Sequence, residues 1–300
     1  MNCFHMRTTH ITAVALISVF LALSSHAQLT RTWVSGVGDD ANPGSRTAPG
    51  KTFAGMINIT AIGGVIDVLD PGGFGAVTIS NSITIEGDAA EGGILVSGGN
   101  AIVINAGASA VVILRNLTLE GLGTSLSGIQ IVSAGAVHIE NCRINGFTGS
   151  GIDFVSGVSN AQLFVKNTTI HNCTPSGINL APTMPSTILI EGASVTGCSN
   201  DIVAASNTVS VVTDTTASGN AGVGFLVGTN AHMTINRGTS TDNTMGLQSS
   251  GLVVLSASTI ADNAADGLKI IKPGIIRSYH NNYVFGNAPD GHTTSMLTYK

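Results

Sequence analysis

Charge is scarce in this chain. Asp, Glu, Lys and Arg make up 10% of its 300 residues, and the formal net charge is −5. So sparse and scattered a basic content excludes a nucleic-acid partner, which needs a dense cationic surface. Aromatic residues are equally rare, at 4%. The four cysteines form no Cys-x-x-Cys pair, and no His-rich cluster accompanies them. The usual zinc and thiol-redox motifs are therefore absent, and no metal site or cofactor is expected. Beyond residue 27 no apolar run is long enough to cross a bilayer, so the mature chain should carry no membrane span. Nor does any helix-length segment separate the apolar stretches of the middle and C-terminal regions, which excludes helical crossovers between parallel strands.

Gly, Ser, Thr, Asn, Val and Ile are abundant, and they come in a recurring phrase. It reads Val137-His-Ile-Glu-Asn-Cys-Arg-Ile144, then Leu163-Phe-Val-Lys-Asn-Thr-Thr-Ile170, then Ile188-Leu-Ile-Glu-Gly-Ala-Ser-Val195. Gly-apolar steps recur beside it at Gly151, Gly177, Gly224, Gly246 and Gly267. Within each phrase apolar and polar residues alternate over three to five positions, the pattern of a half-buried strand. A near-fixed period carrying such strands marks a solenoid. The chain must wind strand, turn, strand, turn, strand, loop and return above its start, rising about 4.8 Å per coil. A solenoid also removes the size limit on a single core, because each coil needs only its neighbours.

Aligned coils give columns. Ile144, Ile170, Val195, Ala217 and Ile260 share an interior position. Three residues on lie Phe147, Cys173, Cys198, Asn220, Asn263 and, in the last coil, Asn287. Asn243 joins them if Ser240 takes the interior place of its coil. Stacked amides can bond along the axis and satisfy a tight turn, so Cys173, Cys198, Asn220, Asn243, Asn263 and Asn287 form the candidate structural ladder. Cys173 and Cys198 are two buried thiols or, with suitable side-chain angles, a disulfide. A partial second column holds Asn116, Asn141 and Asn167, with Asp214 as a further candidate.

The N-terminal region differs. Arg7, an apolar run over residues 11–23 and the small residues Ser25 and Ala27 describe a signal peptide over 1–27, cleaved so that the mature chain begins at Gln28. The product would be secreted or periplasmic. Residues 28–62 should form a strand, a turn-rich loop and a short capping helix with Phe53, Met56 and Ile57 on one face. Residues 63–300 should form the coils. Asp39-Asp40, in a Gly-Pro loop, is expected to do turn chemistry.

The segment Val34-Ser-Gly-Val-Gly-Asp-Asp-Ala-Asn-Pro-Gly44, followed by Pro49-Gly-Lys-Thr-Phe53, resembles the N-terminal signature of secreted right-handed parallel β-helix proteins of the pectin-lyase-like superfamily. Gly50 stands where that pattern usually has Phe. The Asn-rich repeats are similar to the same superfamily. The resemblance implies an all-β, right-handed parallel β-helix, a three-sheet solenoid with a short N-terminal capping helix. It also implies a substrate face on the outer side of the sheet preceding the tight turn. In this chain that face carries Arg115, Glu140, Lys166 and Glu191, with His138, Phe164 and Leu189 in the neighbouring column.

Three uses of the alternating charges stay open. They can set strand register, worth roughly 0 to 1 kcal/mol per exposed pair. With His138 and Phe164 they can grip a glycan. Or Glu140 and Glu191, about 9.6 Å apart by strand spacing, can act as a carboxylate pair. Lys166 between them would keep both ionised, which suits a general acid poorly. The Asn-Thr-Asp, Gly-His-Gly and Arg-Ile-Lys motifs of polygalacturonases are absent, and the one Asp-Asp lies before the coils. The expected function is therefore a secreted β-helix that binds polysaccharide or serves at the cell surface without catalysis. The alternative is a divergent polysaccharide lyase or glycoside hydrolase acting on an acidic polysaccharide. The export signal disfavours a trimeric tailspike.

Overall fold

A computed structural model describes residues 28–88 and 90–298; residues 1–27, expected from the sequence to be a signal peptide, lie outside the described residues. Three parallel sheets of 12, 10 and 9 strands run the length of the solenoid. We call them sheets 1, 2 and 3 in the order the chain visits them. One coil illustrates the path. Ala136–Glu140 lies in sheet 1, Arg143–Phe147 in sheet 2 and Ile152–Phe154 in sheet 3. The chain then returns to sheet 1 as Ala161–Lys166, directly above its start, with Glu140 opposite Lys166. The architecture is a right-handed parallel β-solenoid with almost no helix.

The alternation of apolar and polar residues puts every second side chain inside. Val137, Ile139, Leu163, Val165, Ile188 and Ile190 are all buried from sheet 1. In sheet 2, Ile144, Ile170, Val195, Ala217, Ser240 and Ile260 stack one above another. Ser240 is fully buried, and its hydroxyl donates to the Gly246 carbonyl. Each Val or Ile placed inside contributes about 1.5 to 3 kcal/mol relative to solvent.

Two sharp turns per coil let a short strand change sheet. Between sheets 1 and 2 the turn residue is left-handed: Asn116, Asn141, Asn167, Gly192, Asp214, Arg237 and Ala257 have φ from 47° to 66°. Between sheets 2 and 3, Asn172, Gly197, Gly219, Asp242, Asp262 and Gly286 do the same. Asn, Asp and Gly tolerate this region at low cost. Arg237 and Ala257 adopt it because the coils on either side fix the turn.

The residue after each second turn points inward, and here the column of cysteines and asparagines sits. The backbone N–H of Asn220 donates to Oδ1 of Asn243, Asn243 to Asn263, and Asn263 to Asn287, each at 3.1 Å. The N–H of Cys198 reaches Asn220 Oδ1 at 2.8 Å, and that of Cys173 reaches the Cys198 sulfur at 3.4 Å. The side-chain amides also donate axially, from Asn220 to Asn243 and from Asn263 to Asn287. Each side-chain oxygen thus accepts from the backbone one coil below. Cys142, Cys173 and Cys198 are buried free thiols. Burial pushes the Cys142 thiol up to about 12.

At the N-terminal end, Leu29–Val34 pairs with Thr60–Val68 as the first strands of sheet 1. The helix is a single turn, Phe53–Met56, so that Ile57, expected on its buried face, stands at its C-cap. The Thr52 side chain caps it by accepting from Gly55 N–H at 2.9 Å. Phe53 and Met56 are fully buried, and Phe53 packs against Phe74 at 5.3 Å between ring centroids. Asp40 accepts from the Lys51 and Thr52 backbones and from the Thr52 hydroxyl, while Asp39 accepts from Ala41 N–H.

Beside the cysteine pair lies Asp201, fully buried, its Oδ2 accepting from Asn220 and its Oδ1 without a partner. Burial, with Cys198 nearby, pushes its carboxyl up to about 10 from an ordinary 3.8. Between those limits the folded chain holds a proton that the unfolded chain has lost, so stability falls as pH rises. Asp201→Asn should therefore melt higher than the parent protein, by a margin that widens from about pH 4 to about pH 8. A pH-independent difference in thermal melts would contradict the buried neutral acid. In the column itself, Asn263→Leu should cost about 1 to 3 kcal/mol, because it strands the Asn243 N–H. Thr187→Ala, on an exposed position of sheet 1, should change little. Denaturant melts of the two variants provide the comparison, and equal midpoints would refute the axial bonding.

Candidate functional site

The outer face of sheet 1 concentrates the charged and aromatic side chains. One outward column runs Asp67, Glu86, Arg115, Glu140, Lys166, Glu191, Thr213, Asn236, Ser256, one residue per coil. The next runs Val65, Thr84, Ile113, His138, Phe164, Leu189, Val211, Thr234, Val254, Arg277. All six residues singled out from the sequence (Arg115, His138, Glu140, Phe164, Lys166 and Glu191) lie on this face, in adjacent register.

The charges form a network wider than those six. Arg31 reaches Asp67 at 2.7 Å and Glu86 at 3.3 Å. Arg115 lies between Glu86, at 3.6 Å, and Glu140, at 2.7 Å. His138 Nδ1 is 3.9 Å from Glu140, and Lys166 turns to Glu191 at 3.9 Å. Arg31, Asp67 and Glu86 escaped the sequence reading, although a signal was present. Ile83-Thr-Ile-Glu-Gly87 repeats the pattern of Ile188-Leu-Ile-Glu-Gly192.

Glu86 is the unusual member. It is 5% exposed, and burial first, then Asp88 and Asp67, raises its carboxyl above the ordinary range against the pull of Arg31 and Arg115. Asp67 is also buried, with Oδ1 unpartnered. Arg115 is held more firmly protonated by its hydrogen bond to Glu140. The two arginines therefore keep a crowded row of carboxylates folded.

The adjoining column is mostly apolar between Ile113 and Val254. The rings of His138 and Phe164 stack with centroids 4.5 Å apart and planes 12° from parallel. Leu189 and Val211 continue the strip and are 37% and 39% exposed. Gln162, Thr187, Val209, His232 and Leu252 line its other side. The turn from sheet 1 to sheet 2 is a single left-handed residue per coil and raises no wall, while on the other side the loops returning from sheet 3 border an open hollow of about 400 Å³ lined by Asn207, Val209, His232, Leu252 and Ile275. A second hollow of about 300 Å³ sits over sheet 2, floored by Gly72, Gly73 and Gly93. Its carboxylates are engaged: Glu91 accepts from Thr118, and Glu120 from Asn145. Among the described residues no group of His, Cys, Asp and Glu could hold a metal ion. The other histidines are dispersed: His171 contacts Thr196, and His232 faces outward on sheet 1.

Coils, turns and outward columns define a right-handed parallel β-helix of the pectin-lyase-like fold. The chain matches the right handed beta helix region family over residues 93–263, more than half its length, and belongs to that family. A rhamnogalacturonan lyase structure superposes with a TM-score of 0.63 at 12% identity, covering 90% of this chain and 82% of the lyase. Pectate lyase Pel9A gives 0.47 at 14% identity, covering 84% of this chain and 69% of the other. The A-module of the Azotobacter vinelandii mannuronan C-5 epimerase AlgE4 gives 0.48 at 15% identity, covering 75% and 80%. At such identities the likeness is one of fold. No curated protein sequence matches.

Removing Arg115 should expose the electrostatic design. Arg115→Met leaves Glu140 without its guanidinium and Glu86 with only Arg31. The variant should lose about 1 to 3 kcal/mol near neutral pH and less near pH 4, where Glu86 is protonated. Thermal melts across that range measure the difference, and a loss independent of pH would refute the network.

Proposed function

We propose that the protein is an exported β-helix that binds polysaccharide along the outer face of sheet 1. The observation that carries this reading is the stacked His138–Phe164 pair, set in a mostly apolar strip and bordered by the Arg115–Glu140 ion pair and by Lys166 and Glu191. Such a face suits a sugar polymer: the stacked rings present their edges as an apolar ridge that continues through Leu189 and Val211, and flanking polar groups bond hydroxyls. The rhamnogalacturonan lyase whose fold superposes on this chain is named for a polysaccharide, and a polysaccharide partner is in keeping with that likeness. Openness favours binding over enclosed chemistry.

Residues 1–27 act as the export signal in this reading, 28–62 as the end cap, and the remainder as the binding solenoid. The column Cys173, Cys198, Asn220, Asn243, Asn263 and Asn287 serves as the structural ladder inside the turn from sheet 2 to sheet 3. Arg115, His138, Glu140, Phe164, Lys166 and Glu191 form the glycan-facing patch.

The second reading is a divergent lyase or hydrolase. It rests on Glu86, whose raised carboxyl adjoins Arg115. Binding and turnover separate the two. In the binding reading, Phe164→Ala lowers polysaccharide affinity about tenfold, a loss of about 1.4 kcal/mol, with the melting temperature nearly unchanged. The wild type should release neither unsaturated nor reducing ends. Product formation by the wild type that Glu86→Gln abolishes would replace the binding reading with the catalytic one.

A further inference from the structure

We infer that the ligand is a neutral polysaccharide, lying parallel to the solenoid axis over the column His138, Phe164, Leu189, Val211, Thr234, Val254. This rests on the polysaccharide-binding reading and names its ligand class. The argument begins with charge. In the charged part of the face three cations, Arg31, Arg115 and Lys166, meet four carboxylates, Asp67, Glu86, Glu140 and Glu191. Arg31 and Arg115 are hydrogen-bonded to carboxylates, and Lys166, half exposed, lies 3.9 Å from Glu191, so no cation of the row stands without a carboxylate beside it. A polyuronate carries a negative charge on each sugar and would need cations free to meet it. Here it would meet an anionic row instead, on a chain whose net charge is also negative.

Beyond Glu191 the charged column becomes Thr213, Asn236 and Ser256. The apolar column beside it continues through Val211, Thr234 and Val254. Arg277 is the next residue, an isolated exposed cation at the far end. One terminal cation cannot match a polyanion along its length. The face between is apolar ridge flanked by hydroxyls and amides, which fits pyranose rings presenting C–H faces downward and hydroxyls sideways.

Length agrees with a polymer. From His138 to Val254 the strip crosses five coil steps, about 24 Å at the parallel strand spacing. That is room for several sugars in a row. The stacked rings supply the most specific contact, at the end where the strip meets Glu140 and Lys166.

The test uses the full mature protein in affinity gels. Xyloglucan, β-glucan and galactomannan serve as neutral probes, polygalacturonate and alginate as acidic ones. At least one neutral polymer should retard the protein equally at low and high salt. Phe164→Ala should weaken that retardation about tenfold, and Arg143→Ala, on the outer face of sheet 2, should leave it unchanged. Val211→Glu supplies a second variant on the strip should Phe164→Ala fold poorly, and it should weaken retardation likewise. Retardation by an acidic polymer that disappears at high salt would overturn the neutral assignment while leaving the polysaccharide reading intact. If no polymer retards the protein, or both strip variants bind as the wild type does, the polysaccharide reading at this face falls and the neutral assignment with it.

Discussion

Everything in this structure depends on parallel pairing of each coil with the next, in register, at one strand spacing. The pairing converts a period in sequence into columns in space. Inside, it stacks Ile144, Ile170 and Val195 into a continuous core without helices. At the second turn it sets each asparagine oxygen over the backbone N–H of the coil below. A backbone donor that would otherwise be buried and unpaired is satisfied by the neighbour. The same pairing tolerates departures, since Ser240 replaces an aliphatic residue and cysteines replace asparagines without a break in the sheets.

Register acts on the outside too. Residues one period apart come within about 4.8 Å, so like charges in succession would repel and unlike charges attract. The row from Asp67 to Glu191 shows both effects. Asp67 and Glu86 are adjacent carboxylates, and their proximity is offset by Arg31, which reaches across to both. From Arg115 onward the alternation of sign needs no such bridge. The row therefore stiffens the N-terminal half of the face, while the apolar strip beside it remains open.

Much of this was legible in the sequence, because solenoid coils repeat their chemistry. The three-sheet fold and the coincidence of Arg115, Glu140, Lys166 and Glu191 in one column both follow from aligning the phrases. The early coils were harder, since residues 65–113 vary in strand spacing, and Arg31 belongs to the end strand outside the repeat. Asp201 was invisible as a buried acid: no sequence pattern marks it, and only its contact with Asn220 and its place beside Cys198 give it meaning. The helix is one turn: Phe53 and Met56 are fully buried in it, and Ile57, at its C-cap, packs partly buried against the same end of the core. Asn207, in the loop before a sheet 1 strand, is left-handed and donates to the Pro182 and Thr183 carbonyls, a task no sequence pattern marks.

The polysaccharide reading joins these layers: a rigid core holds a flat strip whose ends, spacing and charge select an uncharged polymer. The most direct measurement is a crystal structure of the mature protein soaked with a neutral oligosaccharide. The account predicts sugar rings over His138 and Phe164, with the oligosaccharide running along the axis toward Val211 and Thr234. Sugar bound only in the hollow over sheet 2, or across the strands rather than along the axis, would contradict it.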